Sequence, residues 1–330
     1  MGLPGLPEGA VGGLGRAWSG GEVLLACIRR VSDNPRQFGK KLRPDAAVGD
    51  PEGLRMGDFR IGWLSTGRDE AAAFLLMEVW KAIQAGRIRA DIPFVFCNRD
   101  RGESPVTDAF LRVVDSLGIL VRTHSWKAFK ARCADGVRPI TDREALRIAF
   151  DRAVAAALGP ADVYALVGYM LILGPELCER FPFINLHPAP PGGPAGAWED
   201  VIWHLMDACE VASGIMIHRA TPELDQGPVL TYCRYPIRGG PFDPLWADWE
   251  AAVRAGRIDR RNPPPLFQRI REAGVRREAP LLVETLRALA DGRIRIVGEG
   301  VLRGGERLEG GLCLSDEVEA LIATGGGSCG

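Results

Sequence analysis

From Phe59 onward the chain alternates two patterns: short unbroken apolar runs, and longer stretches in which apolar residues return every three or four positions. Apolar runs of about four to eight residues bounded by turn formers mark buried strands, and the three-to-four spacing marks amphipathic helices. The pattern predicts strands over 59–64, 93–97, 119–124 and 163–167, with helices over 70–85 and 105–117 between the first three. Asp142 has the place of a helix cap, followed through 157 by Ala145, Ile148, Ala149 and Val154 at helical spacing. Further along, the reading is a short helix over 175–180, a strand over 183–186, a helix over 198–207, strands over 214–220 and 229–237, and a helix over 280–290. Strands and helices in alternation predict an α/β fold: a mostly parallel, twisted, Rossmann-like sheet with helices on both faces.

Composition narrows the class. The 330 residues are 46% hydrophobic and 25% charged, enough to bury one large or two ordinary cores, and the formal net charge is -1. That balance draws the chain toward neither nucleic acid nor an anionic membrane. The expected partners are small molecules and a second copy of the chain, as a homodimer. Cysteines at 27, 97, 133, 178, 209, 233, 313 and 329 lack any C-x-x-C or Cys/His ligand spacing; they read as buried thiols in a reducing, cytoplasmic setting, with no metal implied. No apolar run approaches the ~20 residues that span a bilayer. The amino terminus lacks the charged start and apolar core of a signal peptide. Residues 1–57 are rich in glycine and proline, with only 22–31 patterned. They read either as a weakly ordered extension or as a stretch ahead of a true start at Met56.

Candidate chemistry gathers between Phe183 and Leu230. The strand over 183–186 must end at Pro188, which offers no ladder donor. Side chains alternate along a strand, so Asn185 and His187 project from one face and Leu186 from the other. Both sit at the carboxyl end of the strand, where ligands bind in open parallel sheets. Asp225 follows in a loop bounded by Gly227 and Pro228. Singly, each residue is ordinary turn chemistry. His218 is either a partner of this loop or a structural strand residue, and His124 and His204 read as structural.

Asn185-Leu186-His187-Pro188 and Glu223-Leu224-Asp225-Gln226-Gly227-Pro228-Val229 resemble the two site motifs of the folate-dependent formyltransferases, above all the glycinamide ribonucleotide formyltransferases. Gly168-Tyr169-Met170-Leu171-Ile172-Leu173 is similar to the family's folate-lining segment, and Asn98 after its strand matches a family Ser-Asn. The resemblance runs from about Phe59 to about Ile296, and implies a catalytic domain over 58–300, an insertion near 239–265 that covers part of the site, and a carboxyl-terminal tail over 301–330. It implies transfer of a formyl group from 10-formyltetrahydrofolate to an amine acceptor, directly and without an acyl-enzyme. Asn185 would donate to the developing oxyanion, His187 would stabilise charge or carry the proton, and Asp225 would orient and charge His187 or hold the water through which protons pass. Met170, Leu171, Ile172, Leu173, Glu223, Leu224 and Gly227 would line the folate site; Gly67, Arg68, Asn98, Pro188 and Ala189 would meet the acceptor.

Three departures touch the acceptor side, one of them, the loop 189–196, facing acceptor and formyl donor alike. In the turn Ser65-Thr66-Gly67-Arg68-Asp69-Glu70, where the purine enzymes cradle a phosphate, only Gly67 survives, and Asp69 and Glu70 read as an acidic cap filling the helix's positive end. The loop 189–196 is rich in proline and glycine, and Glu278 is displaced from the family's acceptor carboxylate. Leu171 also replaces the usual arginine of the folate segment. The expectation is an acceptor other than the phosphoribosyl substrate. Glycinamide ribonucleotide formyltransferase itself, a formyltetrahydrofolate hydrolase and a non-catalytic folate-binding protein remain as alternatives.

Overall fold

The computed structural model describes residues 59–135 and 142–325. At its centre β1 (Phe59–Ser65) runs parallel to β2 (Ala90–Cys97) on one side and β4 (Val163–Leu166) on the other. Beyond β2 lies β3 (Leu120–Thr123), and beyond β4 lies β5 (Phe183–His187), both parallel to their neighbours. Two antiparallel strands follow, β6 (Ala212–Arg219) and β7 (Val229–Pro236). A short β11 (Leu312–Cys313) closes the sheet, giving the order β11-β7-β6-β5-β4-β1-β2-β3. The strands carry unbroken apolar runs because the sheet is covered on both faces.

Alternation along the strands divides the core. Leu64, Phe94, Phe96, Tyr164, Leu166 and Phe183 point to one face, where they pack on Phe150 and Val154 of α4 (Arg143–Ala157) and on Leu177 and Cys178 of α5 (Pro175–Arg180). On the other face α1 (Glu70–Gln84) touches β2, while α8 (Pro265–Ala290) lies along β6 and β7 and against α1. The helix starts follow capping chemistry: Asp69 accepts from Ala72 N at 3.3 Å and Asp142 from Ala145 N at 2.6 Å. α2 (Pro105–Ser116) begins with proline at its first position, where no backbone donor is needed. α6 (Trp198–Asp207) follows the site loop.

Several elements differ from the expectation. α3 (Trp126–Ala134) was not legible, since no residue of it is fully buried and its sequence carries no apolar stripe. The segment read as an insertion holds a 3-10 turn (Gly240–Phe242) and α7 (Asp243–Arg254). Its two tryptophans are buried: Trp246 Nε1 donates to the Ile237 carbonyl and Trp249 Nε1 to that of Met206. α8 starts at Pro265 and passes through Pro280. A proline there removes one helical hydrogen bond, and a long apolar face from Leu266 to Leu289 offsets the loss. After 300 the chain folds back: β9 (Gly300–Arg303) pairs with β8 (Arg295–Val297) and β10 (Glu306–Arg307), β11 joins the main sheet, and α9 (Ser315–Gly325) packs on α8. Cys97, Cys178 and Cys233 are buried, their thiols pushed up by burial to about 11, 11 and 12. Cys209 and Cys313 are exposed, which corrects the expectation of buried thiols throughout; Cys27 and Cys329 lie outside the described residues. Among the described residues no helix is long and apolar enough to cross a membrane.

Candidate active site

The carboxyl ends of β1, β2, β4 and β5 open at one edge of the sheet. Asn185 and His187, two residues apart on β5, both turn toward Asp225. Asp225 comes from the loop between β6 and β7 and holds a left-handed backbone, φ 56°, a conformation that aspartate tolerates better than most residues.

The carboxylate is the hub. Its Oδ2 accepts from Gly196 N at 3.1 Å and lies 3.4 Å from His187 Nδ1. Its Oδ1 accepts from Asn185 Nδ2 at 3.3 Å and lies 3.6 Å from His218 Nε2. The three side chains of His187, Asp225 and His218 are only 3%, 7% and 2% exposed. His218 thus belongs to the loop's network, the first of the two roles open to it in the sequence. Its register opposite Asn185 on β6 sets the contact, and Asn185 Nδ2 lies 3.3 Å from its Nε2.

Proton positions follow from the partners. A carbonyl oxygen only accepts, so the His187 nitrogen 2.8 Å from Pro194 O, Nε2, carries a hydrogen. Likewise His218 Nδ1, 2.9 Å from the Arg219 carbonyl, is a donor. With Nε2 of His187 so committed, a neutral ring turns the lone pair of Nδ1 on the carboxylate, whereas the imidazolium satisfies both neighbours. Burial opposes that charge and sets the His187 pKa below its ordinary value, against the lift from the Pro194 carbonyl and Asp225. Burial raises the Asp225 carboxyl, yet the hydrogen bond to His218, that from Gly196 and the charge of His187 outweigh it and hold Asp225 below the usual range.

The flanking segments divide into exposed and buried parts. Met170 and Ile172, which follow β4, and Leu224 beside Asp225 are each about half exposed despite being large and apolar. Leu171 is half-buried against the core, and Leu173 is buried within it, so its side chain is spent on packing. Glu223 is exposed, and its carbonyl accepts from Thr221 Oγ1 at 3.1 Å. Gly227 is glycine because a Cβ there would overlap the Arg219 carbonyl. Gly67, at φ 58°, would place a Cβ 2.8 Å from the Phe110 ring, so the turn calls for glycine on grounds of conformation and space. Arg68 is exposed beside it. Asn98 is buried and its side-chain oxygen accepts from Thr66 Oγ1 at 2.7 Å. Pro188 is half-buried, while Ala189 is fully buried. Glu278 is buried in α8 and paired with Arg271 at 2.8 Å. His124 packs between Phe129 and Phe150, and His204 is exposed on α6. Sequence reasoning missed Pro194 and Gly196, whose backbone groups carry no side-chain signal.

A family model described as formyl transferase matches residues 72–239, just over half of the 330 residues, and spans every residue of this hub. The chain belongs to the formyl transferase family. Among solved structures, this formyl transferase resembles glycinamide ribonucleotide transformylase 1 from Symbiobacterium toebii, with a TM-score of 0.52 and 19% identity over 78% of this chain and 99% of that one. It also resembles the phosphoribosylglycinamide formyltransferase of Coxiella burnetii, with a TM-score of 0.53 and 18% identity over 78% and 99% of the two chains. At that identity the likeness is one of fold. No curated protein sequence matches the chain.

Proposed function

We propose that this formyl transferase moves a formyl group from 10-formyltetrahydrofolate to an amine, with Asn185, His187 and Asp225 at the reacting atoms. The supporting observation is the grouping of these side chains around one carboxylate at the strand ends, beside the exposed apolar Met170, Ile172 and Leu224, on which a flat folate ring would lie.

The amine lone pair attacks the formyl carbon, and the carbonyl oxygen takes up negative charge. The nitrogen then gives up a proton, the bond from carbon to the folate nitrogen breaks, and that nitrogen receives a proton. His187 Nε2–H already donates to a carbonyl oxygen, that of Pro194. In the complex the formyl oxygen takes that place, so loop 188–196 yields. Asp225 holds His187 at Nδ1 and favours the imidazolium that faces the oxyanion. Asn185 turns an amide hydrogen to Asp225 in the free protein; that hydrogen must leave for the oxyanion, a donor worth ~2.7–4 kcal/mol where such groups have been removed elsewhere. His218, anchored on the Arg219 carbonyl, keeps the carboxylate in position.

The acceptor in this reading is a non-phosphorylated amine. Asp69 occupies the end of α1 as its cap, and Glu70 follows in the first turn, so the positive helix end is already neutralised. Arg68 remains to meet a carboxylate.

The test is tetrahydrofolate release from 10-formyltetrahydrofolate by the protein alone, with glycinamide ribonucleotide, and with a panel of non-phosphorylated amines, His187→Ala serving as control. Release that requires one of these amines and vanishes in His187→Ala is the expected result. Full activity with glycinamide ribonucleotide overturns the acceptor assignment, release without any amine makes the protein a hydrolase, and folate binding without release makes it a binding protein.

A further inference from the structure

One buried hydroxyl ties three adjacent strand ends together. Thr66, the residue after β1, donates from Oγ1 to Asn98 Oδ1 at 2.7 Å just past β2, and accepts at the same oxygen from Met170 N at 2.9 Å beyond β4. The direction is settled by chemistry: an amide oxygen only accepts and an N–H only donates, so the hydroxyl hydrogen goes to Asn98 and a lone pair to Met170. The backbone of Thr66 adds two further ties, its N–H donating to the Gly168 carbonyl at 3.0 Å and its carbonyl accepting from Thr107 Oγ1 at 3.3 Å. Thr66, Asn98 and Thr107 are all buried, so none of these bonds is readily replaced by water. Met170 lies in irregular chain after Gly168, whose φ of 66° breaks the line of β4, and its N–H has no strand neighbour to take it.

We propose that Thr66 is a positioning residue that sets the backbone of the folate-lining segment 168–170 and couples it to the acceptor-side turn carrying Arg68. The inference rests on the reading of 168–173 as the donor site. Thr66 touches no reacting atom. Its hydroxyl fixes where Met170 and Ile172 stand relative to Asn185, and since the same residue begins the turn 66–68, ordering one segment by a ligand orders the other.

The experiment uses the full chain with Thr66→Val, which keeps the shape and removes the hydroxyl, and Thr66→Ser, which keeps the hydroxyl. Three quantities are read: amide hydrogen exchange at Met170, the dissociation constant of 10-formyltetrahydrofolate, and kcat with its pH profile. Thr66→Val is expected to speed exchange at Met170 about tenfold and to weaken folate binding about tenfold, the equivalent of ~1.4 kcal/mol, with kcat and its pH profile within about twofold of the wild type. Thr66→Ser is expected to match the wild type throughout. In combination with Asn98→Ala, which cuts the same relay, Thr66→Val is expected to add little to the exchange rate. Unchanged exchange at Met170 in Thr66→Val overturns the tie itself, and unchanged folate affinity with faster exchange overturns its positioning role. A wild type that binds no folate, yet shows the exchange effect, sinks the donor-site reading and leaves the tie standing.

Discussion

Replacing Asp225 by asparagine is the sharpest probe of the hub. The new amide cannot fit either way round: an NH2 in the place of Oδ2 meets the N–H of Gly196, and in the place of Oδ1 it meets the NH2 of Asn185. It also strips His187 of its counter-charge. At the 3.4 Å between His187 Nδ1 and Asp225 Oδ2, the pair energy is ~1 kcal/mol in a water-like medium and ~5 kcal/mol at the effective dielectric of about 20 suited to protein sites. Burial already holds the His187 pKa below its ordinary value, and loss of this counter-charge lowers it further. If the imidazolium faces the oxyanion, activity declines as pH rises through that pKa, and Asp225→Asn moves the limb to lower pH. The assay is the pH dependence of kcat/KM for amine-dependent tetrahydrofolate release, with the melting temperature confirming a folded variant. At ~1.4 kcal/mol per tenfold, the expected loss at pH 7 is between ~10-fold and ~4,000-fold. A variant within about threefold of wild type, with the limb in its original place, refutes the role of Asp225 in holding His187 charged.

Two stability measurements address the surrounding scaffold. Burial pushes the Asp151 carboxyl on α4 from 3.8 to about 6, against the pull of the Gly174 N–H at 2.7 Å and of Arg147. The folded chain therefore binds this proton more tightly than the unfolded chain, so the stabilisation is full below about pH 4 and is lost as pH rises through about 6. Asp151→Asn keeps an acceptor for Gly174 and removes the titration; between pH 4.5 and pH 7 it should flatten urea-unfolding stability relative to wild type by on the order of 1–3 kcal/mol, and parallel pH curves for the two proteins would count against it. Gly227→Ala, which drives a Cβ into the Arg219 carbonyl, should cost ~1–3 kcal/mol in the same assay and slow formyl transfer by displacing Asp225. A neutral substitution there would mean that the loop shifts freely.

Much of this protein is written in its one-dimensional pattern. Apolar runs specified the strands because a parallel sheet covered on both faces needs apolar side chains at every position, and β1, β2, β4 and β5 came within a few residues of their predicted bounds. Asp142, foreseen as a cap, and Asp69, with its acidic first turn, carry their own chemistry and needed no partner to be recognised. α3 was hidden because its residues are at most half-buried and so carry no period, and the start of α8 was hidden because Pro280 looks like a helix beginning. At the site, alternation along one strand was enough to place Asn185 and His187 on one side, since that is a local property of extended chain. The sequence by itself therefore determined the fold class, the strand carrying the site and the candidate side chains. Only the tertiary structure decided that Pro194 and Gly196 complete the hub through backbone groups, that His218 shares the carboxylate, and that Asn98 is tied to Thr66. Those contacts join residues distant along the chain through hydrogen bonds whose partners are chosen by strand order and register, and neither is encoded in the neighbourhood of any one residue.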